Sequence, residues 1–139
     1  MTDIDNPPMA ADIAAAFDAF PEPIRHRLLD IRRLIFQTAA ETEGVGAVTE
    51  TLKWGEPAYL TLASGSGSTI RLGWIPSSAR DCAVLFNCRT ILVETFRARF
   101  PDVFGFEKNR AILLDPAAPL PQTELSICLR MALIYHKRR

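Results

Sequence analysis

Lys53-Trp54-Gly55-Glu56-Pro57-Ala58-Tyr59 sets two large aromatics, a lysine and a carboxylate around a glycine and a proline. Residues of these types can wall a cleft with Trp54 and Tyr59. Lys53 and Glu56, joined by Arg71 from the next alternating run, would orient a small ligand through hydrogen bonds and charge. The candidate ligand-binding set is therefore Lys53, Trp54, Glu56, Tyr59 and Arg71. Packing is the competing reading: Trp54 and Tyr59 as core anchors, Gly55 permitting a bulge, Pro57 protecting an edge strand and the charges solvated.

No other residues present a spacing that does chemistry. His26 lies four positions after Glu22, which suits a surface helix pair, and His136 precedes a basic tail suited to the negative end of a helix. The serines of Ser64–Ser68 and Ser77-Ser78 stand in neither a G-x-S-x-G elbow nor an S-x-x-K arrangement and read as loop chemistry. Gly65-x-Gly67 reads as a flexible turn, since it lacks the strand-to-helix context and lysine of a phosphate loop. Cys82, Cys88 and Cys128 form no C-x-x-C pair and have no histidines at zinc-like spacing. We assign no catalytic residues and no metal ligands, and expect a chain that is not an enzyme.

The elements that position these residues come from one domain. At 139 residues and 48% hydrophobic composition, the chain can fill a core without disulfide, metal or cofactor. Sixteen basic and sixteen acidic residues cancel, so no overall field collects nucleic acid or anionic lipid. Reduced thiols and the absence of an export or membrane segment point to the cytoplasm. Residues 1–8 form a polar, proline-containing lead that should be loose, leaving 9–139 as the domain.

Met9 to Phe20 favours a helix, and Pro23 opens a longer one whose Ile24, Leu28, Ile31, Ile35 and Ala39 recur at three and four. From Val48 the period becomes two, giving two consecutive strands on either side of Gly55 or one bent strand, and a further strand at Ile70, Leu72 and Trp74. Pro76 to Asp81 reads as a loop before the central strand Cys82 to Phe86. Thr90 caps a short helix stopped by Pro101. A hairpin follows over Val103 to Leu114, with Asn109 taking the positive φ of its turn.

Pro121 opens a last helix expected to reach almost to Arg139. Leu125, Cys128, Leu129, Ala132 and Leu133 would cover the sheet. Ile127, Met131 and Ile134 would need a second cover, from another helix or from a partner subunit in a homodimer.

The ordered set Leu52 to Tyr59, the glycine-rich hairpin, Leu85-Phe86 and Pro119-Leu120-Pro121 at the last helix resembles the YdhG-like domain family of unknown function. Its most specific part is Trp-Gly-x-Pro-x-Tyr, and the resemblance runs from the second helix to the end. It implies an α+β fold with an antiparallel sheet of five to six strands packed against N- and C-terminal helices, a frataxin-like α-β sandwich. It also implies a cytoplasmic protein and, in one branch, an intracellular iron chaperone. Arg25, Arg27, Arg32 and Arg33 on the second helix differ from the acidic helical surface that frataxin-type iron binding uses.

The expected function is a non-enzymatic cytoplasmic binding domain for a small ligand, iron or a protein partner. The alternative is a homodimeric interaction module built on Ile127, Met131 and Ile134.

Overall fold

The computed structural model describes residues 6–75 and 78–137. The alanine-rich stretch forms α1 (Ala11–Asp18), and the longer amphipathic run forms α2 (Glu22–Glu41), with Pro23 in its first turn. All five residues of the α2 stripe, Ile24 to Ala39, are buried. The alternating segments become β1 (Thr49–Lys53), β2 (Glu56–Leu60), β3 (Ile70–Ile75) and β4 (Ser78–Phe86). Then come α3 (Leu92–Arg99), β5 (Gly105–Glu107), β6 (Ala111–Leu114) and α4 (Gln122–Leu133).

Among the described residues six strands form one antiparallel sheet in the order β1-β2-β3-β4-β6-β5. The architecture is α+β, with helices on one face of the sheet. Side chains alternate across a pleated sheet. Tyr59, Ile70, Leu72, Val84, Phe86 and Ile112 therefore join the helices in the core, while Ala58, Arg71, Gly73, Ala83, Leu85 and Ala111 take the opposite face.

Several local expectations give way to tertiary structure. Gly55 is not a bulge but half of a tight turn, and the register shift falls instead between Gly73 and Ile75. Pro57 does not protect an edge, because β2 lies between β1 and β3. It is tolerated there because the β2–β3 ladder runs only over Ala58 and Tyr59, so no partner on that side awaits its missing N–H. In the β5–β6 turn Lys108, at φ +49°, takes the left-handed conformation rather than Asn109. The Asn109 amide donates to the carbonyls of Cys88 at 3.0 Å and Thr90 at 3.3 Å, fastening the hairpin to the start of α3. Of the expected loop at Pro76 to Asp81, Pro76 and Ser77 lie outside the described residues, and Ser78 already belongs to β4.

Ser64 to Ser68, expected as a flexible loop, is docked on the helical layer. Ser66 and Ser68 are buried, and the segment caps the end of α4. The Ser68 N–H donates to the Ala132 carbonyl at 2.8 Å, the Ser66 hydroxyl to the Leu133 carbonyl at 2.7 Å, and the His136 N–H to the Ser66 carbonyl at 2.8 Å. Helix C-termini leave carbonyls without intrahelical donors, and these serines supply the donors. With its last turn capped in this way α4 stops at Leu133, short of the expected run to Arg139, whose last two residues lie outside the described set.

Of the lead over residues 1–8, residues 1–5 also lie outside the described set. Asn6 and Pro7 are held: the Asn6 side chain accepts from the Arg32 guanidinium at 3.2 Å, and the Pro7 carbonyl accepts from it at 2.8 Å.

Candidate functional site

Lys53 and Glu56 are register partners, so Trp54 and Gly55 alone connect β1 to β2. Their φ angles of +56° and +77° are those of a type I′ turn, which matches the twist of the strands it joins. Glycine adopts this conformation without strain, whereas in a tryptophan it costs about 1–2 kcal/mol. The Trp54 side chain recovers nothing by burial, since it is 90% exposed at the hairpin tip.

Beside the tip lies an open concavity of about 340 Å³ lined by Lys53, Trp54, Thr69, Arg71, Phe86, Asn87, Cys88 and Arg110. Three strand ends converge on it. Arg71 sits on β3 between Ala58 of β2 and Leu85 of β4, Thr69 immediately precedes β3, and Asn87 and Cys88 immediately follow β4. Arg110 ends the β5–β6 turn, next to Ala111, which pairs with Leu85.

Two carboxylates aim the arginines from outside the concavity. The Arg71 Nη1 donates to Glu56 Oε1 at 2.5 Å, and the Arg110 Nε donates to Glu107 Oε1 at 2.8 Å. Glu56 lies against Gly73, where a β-carbon would collide with its carboxylate, so the glycine makes room for the ion pair on the sheet. Burial pushes the Glu56 pKa above the ordinary carboxylate value, and the charges of Arg71 and Arg110 hold it back only in part.

Four of the five residues picked from sequence thus gather here: Lys53, Trp54 and Arg71 line the concavity and Glu56 supports Arg71. Tyr59 is set apart on the helical face of the sheet, fully buried and edge-on to Phe36 at 5.7 Å. Its hydroxyl donates to Glu50 Oε2 at 2.8 Å. Glu50 also receives Arg32 in a two-pronged contact, Nε to Oε2 at 2.6 Å and Nη2 to Oε1 at 2.9 Å. Burial disfavours charge on Arg32, but the hydrogen bond and charge of Glu50, with Tyr59, more than offset it and its pKa rises. Burial first, and then the Glu50 charge, push the Tyr59 pKa up.

Sequence reasoning missed Thr69, Asn87, Cys88 and Arg110. Thr69 could have been found by continuing the alternation back from Arg71. Asn87 and Cys88 required the β3–β4 register, in which Phe86 pairs with Ile70, and Arg110 required the β4–β6 pairing, which skips β5 in the sheet order and leaves no local signal.

The remaining candidates sit elsewhere. His26 pairs with Glu22 at 3.6 Å on the surface of α2, as its spacing implied. Met131 and Ile134 line a mainly apolar groove of about 290 Å³ with Ile91, Leu92, Thr95 and Tyr135, so α3 supplies part of their cover, and Ile127 is half-buried. Among the described residues no three His, Cys, Asp or Glu side chains form a metal-holding group, and no helix is long and apolar enough to cross a membrane.

All three cysteines are free thiols. Burial pushes Cys82 and Cys128 up to about 12, while Cys88 is exposed at the concavity. At pH 8 a thiol reagent such as 5,5′-dithiobis(2-nitrobenzoate) should modify Cys88 alone in the folded protein and the other two only on unfolding. Rapid native reaction of Cys82 or Cys128 would contradict this burial.

Among solved structures, the chain is similar in fold to a Bacillus subtilis protein of the DUF1801 family, YdhG. The two superpose over 88% of this chain and 89% of the other with a TM-score of 0.56 at 13% identity. That likeness supports the YdhG-like architecture that the Trp-Gly-x-Pro-x-Tyr segment implied, and it extends to the fold alone. No family model matches the chain, and no curated protein does.

Proposed function

We propose that this chain is a non-enzymatic, small-ligand-binding domain whose site is the concavity beside the β1–β2 hairpin tip. One observation carries the reading: Trp54 is 90% exposed in a left-handed backbone conformation. Both features cost stability, and neither is returned by contacts within the chain. Strain retained at one exposed aromatic, next to side chains aimed into a concavity, is the pattern of a binding site. A cytoplasmic setting belongs to the same reading, supported by the three free thiols. Iron binding, which the family resemblance brought in, finds no three-donor group among the described residues to support it.

The variant Trp54→Asn separates function from packing, because Asn-Gly is a favoured pair for a type I′ turn. The expected result is unchanged stability or a gain of up to about 1 kcal/mol by urea unfolding. A library of single-ring fragments screened by NMR should perturb the Trp54 indole N–H of the parent protein. Those same fragments should lose their effects on Lys53 and Arg71 in the variant. Loss of more than about 2 kcal/mol, or of cooperative unfolding, would show that Trp54 serves packing.

A further inference from the structure

We propose that the concavity takes a small planar-ring anion, a single ring system carrying a carboxylate or phosphate, with the ring on Trp54 and the anionic group between Lys53, Arg71 and Arg110. This rests on the ligand-site reading above and names the class of ligand.

Lys53, Arg71 and Arg110 line the concavity, and the two nearby carboxylates, Glu56 and Glu107, stand behind the arginines. Three cations against two carboxylates leave a surplus of one positive charge in a chain whose formal net charge is zero. The surplus is therefore a property of this place rather than of the whole surface.

Glu56 engages only Nη1 of Arg71, and Glu107 only Nε of Arg110. Among the described residues no acceptor takes the remaining N–H groups of either guanidinium or the Lys53 ammonium. Each arginine is thus oriented by a carboxylate while keeping donors free, and a guanidinium fork suits the paired oxygens of a carboxylate or phosphate.

Trp54 presents an exposed indole, and a flat ring is the partner that gains most from stacking on it. Thr69 and Asn87 add a hydroxyl and an amide that can meet polar ring edges. A volume of about 340 Å³ is at the small end for ligand clefts, which run from about 300 to 1,000 Å³, and fits one ring system with one charged head.

The test titrates the intact protein with adenosine 5′-monophosphate and indole-3-acetate, each against a neutral twin, adenosine and indole-3-acetamide, and with inorganic phosphate. Calorimetry reads affinity and NMR reads the Trp54 indole N–H. The expected result is that at least one charged probe shifts this resonance and binds at least ten-fold more tightly than its neutral twin. Which probe binds distinguishes a phosphate head from a carboxylate. Lys53→Gln with Arg110→Gln, both at exposed positions, should lower that affinity at least ten-fold while leaving the urea midpoint unchanged. Neutral twins binding as tightly as charged probes would overturn the anionic class and leave a Trp54 ligand site standing. Inorganic phosphate binding as tightly as the nucleotide would overturn the ring. No shift of the Trp54 indole with any probe would overturn both this inference and the site.

Discussion

Glu50→Ala should destabilise this protein by about 3–5 kcal/mol, the cost of leaving one member of a buried ion pair without its partner. Arg32 is 1% exposed on α2, and its guanidinium meets both Glu50 oxygens from β1. Truncation strands that charge among Phe36, Tyr59 and the main chain at Pro7, and it also removes the acceptor of the Tyr59 hydroxyl. The Arg32 side chain is shut off from solvent, so bulk water does not compensate the charge left without its carboxylate. Urea unfolding should show the loss in the midpoint, and the thermal midpoint should fall by on the order of 10 °C or more.

Arg32→Met, Glu50→Leu and Tyr59→Phe combined should recover most of that loss, since apolar groups of similar volume carry no desolvation cost. A Glu50→Ala cost under about 1 kcal/mol would mean that water screens the pair and that the network contributes little. The network fastens three parts of the fold at once: Asn6 and Pro7 from the lead, α2, and the β1–β2 hairpin. It holds the base of the hairpin whose tip carries Trp54, so the buried Tyr59 and the exposed Trp54 serve opposite ends of one element.

What could be read from sequence follows the range of the interaction involved. Ile24, Leu28, Ile31 and Ile35 announce a helix face by their period, and their burial follows from that period alone. Likewise Arg71 could be linked to the Lys53 to Tyr59 segment, because β2 and β3 are sequential neighbours in the sheet. Arg110 could not, since it reaches the concavity through β6, which pairs with β4 across an intervening helix and strand. The Trp54 turn was misread for another reason. Propensity places Asn or Gly at such a turn, and a tryptophan there suggests a strand residue with its ring inward. The conflict between local preference and actual conformation is itself the signal of function, and it becomes visible only with φ and exposure.

The burial of Arg32 was not legible because a helical arginine among others reads as solvated surface. Its burial depends on Glu50 eighteen positions away, presented by a strand across the layer. The serine tract was misread in the same way. Composition makes Ser-Gly-Ser-Gly-Ser a flexible linker, and only the end of α4, 67 positions on from Ser66, makes it a cap.

That cap gives the second large effect. Gly67→Ala should cost about 2–4 kcal/mol, from overpacking and the loss of capping hydrogen bonds together. A β-carbon on Gly67 would lie 2.5 Å from the Leu133 carbonyl oxygen and 2.7 Å from that of Ala132. Both are main-chain atoms, so no rotamer change relieves the collision. The segment must withdraw from α4, weakening the Ser68 N–H and Ser66 hydroxyl donations to the same two carbonyls. Gly65 provides the control. Its φ of +68° disfavours a side chain, yet a β-carbon there meets nothing within 4 Å, so Gly65→Ala should cost only about 1–2 kcal/mol. Amide exchange should report the same difference, with the Ser68 N–H protected in the parent and in Gly65→Ala but exchanging readily in Gly67→Ala. Equal costs for the two substitutions, or an unprotected Ser68 amide in the parent, would return the tract to a flexible linker and leave the end of α4 at Leu133 without its cap.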